Sequence, residues 1–306
     1  MKLSLSGIEL FFEKKPIDTL IELSDLFDIE YLDIWVPRNT SVSSKDEILA
    51  KLSEYRKKVS CVTTWSHLCR EENRENEQSL LGSSLQWAKV LNAPRVNTYF
   101  GYLDDRNDER AIEIYANTLE PLLKEAEKEG ITICVENEFD SRGHDPNGSD
   151  ITRSADRLLK LVEAIDSPRF KLTFDASNFY LAQEEYYPYA FERLKNHIDY
   201  IHFKDARKFQ DDKDQLKKKW SDHGRDYIFC SLLEGVVNWE RLIPACEQHN
   251  PEWICALEPH TIYTEDTRDI PAGADEPKAK AIKLMGNRVL EDYLESIKYV
   301  RKLGIE

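Results

Sequence analysis

Long apolar runs are missing from this chain of 306 residues. No stretch approaches the ~18 consecutive apolar residues of a membrane span, so a helical membrane protein is excluded. Glycine is scarce, with 11 residues, and no GxGxxG turn follows the first strand-like segment. That argues against a dinucleotide-binding fold. The cysteines Cys61, Cys69, Cys134, Cys230, Cys246 and Cys255 form no CxxC pair. Cys134 and Cys255 lie inside apolar runs, where a reduced thiol packs as a small hydrophobe, so a reducing cytoplasm is expected. Positive charge is in deficit: 42 Lys and Arg stand against 57 Asp and Glu, for a formal net charge of -15. Such a surface repels phosphate backbones and argues against nucleic acid as a partner. The opening MKLSLSGIELFFEKKP lacks a small-residue cleavage site and is interrupted by acids, so it reads as a first strand and not as a signal peptide. No Pro/Gly/Ser-rich linker divides the chain.

What the chain does have is rhythm. Strand-like segments fall at 3–12, 31–36, 59–65, 95–101, 131–136, 170–175, 199–204 and 253–258. Helical patterns fill the gaps: one opened by Pro16, then 46–58, 75–92, 108–129 with Gly130 as a C-cap, 152–165, 186–197, 238–248 and 287–303. Eight alternating units in one chain of this length predict a single α/β domain over 1–306, a (β/α)8 TIM barrel. Two connections exceed the usual short length. Residues 205–231 carry the charged run KFQDDKDQLKKKW, and residues 259–286 are polar and end in PAGADEPKAKA. Both are expected as long βα loops over the catalytic face, where such loops act as lids. The lysine run reads as a solvated face in preference to a phosphate site.

Four of the strand-like segments close on a residue with chemistry. ITICVE ends at Glu136, FKLTFD at Asp175, YIHF holds His202, and WICALE ends at Glu258. The carboxyl ends of barrel strands are where this fold builds active sites. Three carboxylates and one neutral imidazole make an oxygen-rich set suited to a divalent ion such as Mn²⁺, Mg²⁺ or Co²⁺, with Zn²⁺ also within its range. Each residue alone has an ordinary structural explanation. Glu136 and Glu258 could sit in ion pairs, Asp175 could cap a helix, and His202 could be a hydrogen-bonded core histidine. Their shared position in a repeating pattern favours the metal reading.

These segments resemble the xylose isomerase-like TIM barrels, the sugar isomerase/epimerase group that includes D-tagatose 3-epimerase. The resemblance is carried by VENEFD around Glu136, FDASN around Asp175, IHFKD around His202, LEPH around Glu258 and the glycine-then-tryptophan segment LLEGVVNWERL. It implies that Glu136, Asp175, His202 and Glu258 bind one divalent ion, commonly Mn²⁺, Mg²⁺ or Co²⁺. It also implies that Glu136 and Glu258 stand on opposite faces of a sugar or keto-sugar and trade protons. Ketose epimerases often have a histidine three residues after the aspartate, where this chain has Asn178. They also have a second glutamate shortly after the first, where this chain offers Asp140, Arg142 or His144. The DNA-repair endonucleases of the superfamily need more histidines than this chain supplies.

The chemistry so implied is proton abstraction next to a carbonyl. Return of the proton at the neighbouring carbon gives isomerisation, return from the opposite face gives epimerisation, and loss of a β-substituent gives a lyase. Relatives of the lyase kind dehydrate keto-inositols or cleave C-glycosides together with a small accessory subunit. A non-catalytic sugar-binding barrel is the third reading. Homo-oligomeric association is an expectation from the resemblance. Around the centre, Trp35, Trp65 and His67 end strands and could wall a sugar or simply pack the rim. Lys204 could face a developing oxyanion or sit in an ion pair. Asn178 could turn its amide back to the site. His144, in the loop after Glu136, and His260, two residues past Glu258, could serve as extra acid/base groups. Arg207 could neutralise a substrate acid, or form a surface salt bridge.

Overall fold

A computed structural model of the protein describes residues 1–8, 16–37, 40, 44–69, 71–101, 103, 107–139, 150–222 and 224–306. Strands β1 (Lys2–Ser6), β2 (Tyr31–Val36), β3 (Lys58–His67), β4 (Arg95–Tyr99), β5 (Thr132–Glu136), β6 (Phe170–Asp175) and β7 (Ile198–Phe203) are followed by a short antiparallel excursion. The excursion comprises β8 (Asp205–Lys208), β9 (Trp220–Asp222) and β10 (Arg225–Cys230), and the chain then enters β11 (Ile254–Leu257). Strands β1 to β7 and β11 close a parallel barrel in the order β1-β11-β7-β6-β5-β4-β3-β2. The expected (β/α)8 architecture is therefore the one observed.

The strands are buried almost end to end because helices cover one face and the barrel interior the other. Helices start where the sequence supplies caps. Ser44 and Glu47 form a reciprocal capping box for Lys45–Glu54, and Asn107 accepts from Arg110 N to open Asp108–Glu129. Gly130 closes the latter at φ 72, a left-handed position that favours glycine. The interior is polar below the site. Ser4, Ser60 and Tyr200 form a hydroxyl chain with contacts of 2.8 and 3.0 Å, and Arg95 pairs with Asp199 at 2.9 Å. Register sets the level of the site: Asp175 pairs with His202 across β6 and β7, and His202 with Ala256 across β7 and β11.

Three expectations are corrected. The first strand ends at Ser6 and not at residue 12; residues 9–15 lie outside the described residues. The 259–286 segment is not loop throughout. Glu276–Met285 is a helix capped by Asp275, and it buries Ala281, Ile282 and Met285 beside the helix Ile17–Leu26. Its alternation of Lys and Ala hides three apolar positions at helical spacing. The 205–231 segment is an ordered three-stranded sheet, order β8-β10-β9, whose Ala206, Tyr227 and Phe229 cluster with Leu181. Within the lysine run, Lys219 pairs with Asp226 at the surface at 3.0 Å, whereas the largely buried Lys217 pairs with Glu234 at 2.8 Å.

One buried clamp ties β7 to the last unit. Asp205 follows Lys204 directly, and its carboxylate accepts from Ala206 N at 2.8 Å, Val236 N at 2.9 Å and Trp239 Nε1 at 2.8 Å. Val237 N also donates to it, at 3.2 Å. A Cβ on Gly235 would lie 1.9 Å from the Asp205 carboxyl carbon, so only glycine allows the approach. This explains the glycine-then-tryptophan segment: both residues serve Asp205. Gly235→Ala is expected to destabilise the fold by roughly 2 kcal/mol or more, because several buried donors lose their acceptor geometry. Denaturant unfolding monitored by tryptophan fluorescence checks this; an unchanged midpoint would contradict it.

Candidate metal centre

The ends of β5, β6 and β7 and the residue after β11 bring Glu136, Asp175, His202 and Glu258 together. One ligand atom from each lies within 4.8 Å of the others, and all four side chains are buried. His202 Nδ1 stands 3.2 Å from Glu136 Oε1 and 3.2 Å from Glu258 Oε2, yet makes no hydrogen bond to either. Two donors each about 2.1 Å from one ion are about 3.0–3.4 Å apart when they are neighbours in a tetrahedron or octahedron. Close contacts without hydrogen-bond geometry are what neighbouring metal ligands show. The donor set fits one divalent ion.

Each carboxylate is held from its other side. Asn97 Nδ2 donates to Glu136 Oε2 at 3.1 Å, and Thr173 Oγ1 fixes Asn97 Oδ1 at 2.7 Å. Ser6 Oγ donates to Glu258 Oε1 at 3.3 Å and itself accepts from Trp35 Nε1 at 3.3 Å. Asp175 Oδ1 caps the short helix Ala176–Leu181 by accepting from Asn178 N at 2.8 Å, while Asn137 brackets the Asp175 backbone. The Asp175 cap and the Asp175 metal ligand are therefore compatible, through different oxygens. Asn178 Nδ2 reaches Glu136 Oε1 at 3.1 Å. On the far side of His202, Asp33 Oδ2 lies 3.8 Å from Nε2, beyond hydrogen-bond distance, while Thr63 Oγ1 donates to Asp33 Oδ1 at 2.7 Å.

Lys204 reaches into the same cluster, 2.8 Å from Asp175 Oδ2, 3.6 Å from Glu258 Oε2 and 3.8 Å from Glu136 Oε1. Its ammonium also faces the Phe139 and Phe229 rings at 5.6 and 5.9 Å. The protonation balance follows from these charges. Burial drives the Asp175 carboxyl up to about 6, against the pull of Lys204. Burial also opposes ionisation of Glu258, but His202 and His260 outweigh it and hold Glu258 well below the usual carboxylate range. Burial would likewise depress His202, yet Glu136 and Glu258 raise it well above the usual imidazole range. A divalent ion would take over this balancing role, and ligation requires His202 neutral.

Above the centre is a cavity of about 120 Å³ lined by Trp35, Trp65, Tyr99, Phe139, Trp220 and Phe229, with Glu136, Glu138, Asn178, Lys204 and His260. Trp35 and Trp65 thus form part of an aromatic wall. His67 does not line it among the described residues; its ring stacks on Tyr99 at 5.8 Å. His260 adopts φ 54, places Nε2 3.3 Å from Glu258 Oε2, and packs on Phe229 at 5.2 Å. Arg207 is held by Asp214 in a two-point pair at 2.7 and 2.9 Å and does not line the cavity. His144, with Asp140 and Arg142, lies outside the described residues. Sequence reasoning missed Tyr99, which ends β4 in the same way that Trp35 and Trp65 stand near the ends of β2 and β3. It also missed Ser6 and Asn97, interior polar residues one layer below. Trp220 and Phe229 carry no signal of their own, because they arrive on the unforeseen sheet.

The family model described as xylose isomerase-like TIM barrel matches residues 2–282. No curated protein matches the chain. Among solved structures, the IOLI protein with a bound zinc atom superposes with a TM-score of 0.69 at 15% identity, over 98% of this chain and 99% of its own. The 3-keto-D-glucoside 4-epimerase YcjR from E. coli gives 0.68 at 12%, over 99% of each. The probable 3-DHS dehydratase AsbF from Bacillus anthracis gives 0.66 at 15%, over 94% of this chain and 100% of its own. At such identities the structural likeness speaks for the fold alone. The match of the family model over nearly the whole chain decides the assignment: this protein belongs to the xylose isomerase-like TIM barrel family.

Proposed function

We propose that the protein is a divalent-metal-dependent isomerase or epimerase of a keto-sugar. The observation that carries this reading is the convergence of the buried Glu136, Asp175, His202 and Glu258, with Glu136 also lining the aromatic-walled cavity. The four would hold one ion, Mn²⁺ being the best match to the oxygen-rich set and Zn²⁺ the ion in the IOLI neighbour. When bound, such an ion would polarise a carbonyl and its adjacent hydroxyl and lower the energy of the enediolate.

The chain's own residues supply the proton transfers. Glu136, fixed by Asn97 and Asn178, is the base that removes the proton next to the carbonyl. Glu258, at the end of another strand of the same ring, is ionised at rest, so the proton it returns is one it first takes from His260, 3.3 Å away. Lys204 faces the developing negative charge and stabilises it. The aromatic wall excludes water and offers ring faces to the sugar's C–H bonds.

A lyase is the second reading, favoured by one contact. His260 stands 3.3 Å from Glu258 and lines the cavity, so the pair forms an acid that could protonate a departing β-substituent. The dehydratase and epimerase among the structural neighbours fit either reading.

With Mn²⁺ supplied and keto-sugars screened in deuterated water, wild type is expected to wash deuterium into the carbon next to the carbonyl. Glu136→Gln and Glu258→Gln should each slow this by about 100-fold or more, read by proton NMR; exchange at the wild-type rate in both variants would contradict the assignment. Product mass separates the two readings. An unchanged mass supports the isomerase or epimerase, whereas loss of water or of a substituent that fails in His260→Gln supports the lyase.

A further inference from the structure

A cluster of charge that the proton transfers do not use surrounds Lys217. Its largely buried ammonium lies 2.8 Å from Glu234 Oε2, 3.8 Å from Asp292 Oδ2 and 5.6 Å from the centre of the Tyr263 ring. Tyr263 Oη donates to the same Asp292 oxygen at 2.9 Å. Arg207, already paired with Asp214, reaches Glu234 at 3.5 Å. Three parts of the chain meet here: the antiparallel excursion and the turn after it, the segment that follows β11, and the C-terminal helix Asn287–Lys302, which carries Asp292.

The backbone joins two of these parts at the same place. Lys218 N donates to Ile262 O at 2.7 Å and Thr264 N to Leu216 O at 2.8 Å, with Lys217 opposite Tyr263 in an antiparallel bridge. Three residues that line the catalytic cavity flank this pairing. Trp220 lies two residues beyond Lys218, Ile262 is in the pairing itself, and His260 lies two residues before it. His260 therefore sits on a short span between two fixed points: Glu258 N, which donates to Phe203 O at 3.0 Å, and Ile262 O. A pairing of two hydrogen bonds is marginal in water on its own. The side chains supply what it lacks. Lys217 and Arg207 stand against the carboxylates of Glu234, Asp214 and Asp292. Loss of Lys217 leaves one cation for three carboxylates, and a buried charge deprived of its partner disrupts its surroundings more than the pair had stabilised them.

We propose that Lys217 is a positioning residue. Through Tyr263 and Asp292 it pins segments 216–220 and 260–264 to the C-terminal helix, and so holds Trp220 and His260 in the wall of the catalytic cavity. Its effect on turnover rests on the reading of that cavity as a keto-sugar site; its effect on the two segments does not.

The test compares wild type with Lys217→Met, which keeps the apolar stem and loses the charge, and with Lys217→Arg, which keeps the charge. Backbone hydrogen exchange, followed by mass spectrometry, is expected to be about tenfold faster in segments 216–220 and 260–264 of Lys217→Met, with the barrel strands protected as in wild type and the bound Mn²⁺ unchanged. Deuterium wash-in from the keto-sugar should slow by about tenfold, because His260 and the aromatic wall are no longer held in place. Lys217→Arg should restore both. Tyr263→Phe, which deletes only the bond to Asp292, should move both readouts the same way by a smaller factor, and it carries the test if Lys217→Met does not fold. Wild-type exchange in the two segments, or exchange raised alike across the whole chain, would overturn the proposal, and so would faster local exchange with wash-in unchanged. A wild type that washes in no deuterium from any keto-sugar would sink the keto-sugar reading, and local exchange alone would then decide the pin.

Discussion

Three carboxylates buried side by side are the constraint on which the rest of the molecule depends. Glu136, Asp175 and Glu258 cannot all remain charged in a closed barrel mouth unless positive charge stands among them. His202 on β7 and Lys204 just past its end supply it, two residues apart, and a divalent ion would supply it more compactly. The surrounding polar residues are arranged around that need. Asn97, Asn178 and Ser6 each donate to a carboxylate oxygen and so orient it towards the shared point.

A barrel is well suited to this because register, not loop conformation, fixes the positions. His202 is in line with Asp175 on one side and two residues short of Glu258 on the other. The antiparallel excursion after β7 then extends the site upward. It places Trp220 and Phe229 over the cavity, and Asp205 locks its base to the backbone at Val236 and Val237. Rigidity at Asp205 is inherited by Lys204, its immediate neighbour, whose ammonium must stay among the carboxylates.

Much of this was legible in the sequence, and the legible part has a common physical origin. Strand ends announce themselves where an apolar run meets a charged residue, so Glu136, Asp175, His202 and Glu258 stood out together. The same logic identified Trp35 and Trp65. It did not reach Tyr99, whose run RVNTY is broken by polar residues that point into the barrel. Short antiparallel strands were hidden by the lysine-rich run between them, and Glu276–Met285 by its alternation of Lys and Ala. Arg207 shows the limit of position alone: it lies close in sequence to His202, yet Asp214 holds its guanidinium on the rim.

The account stands on a bound divalent ion. Elemental analysis of protein purified without chelator, and again after incubation with Mn²⁺ and gel filtration, tests it most directly. One divalent ion per chain is the predicted result, lost when Glu136 and Glu258 are both replaced by glutamine. A wild-type protein that retains no ion after incubation with Mn²⁺ would contradict it and leave Lys204 as the permanent counter-charge of the three carboxylates.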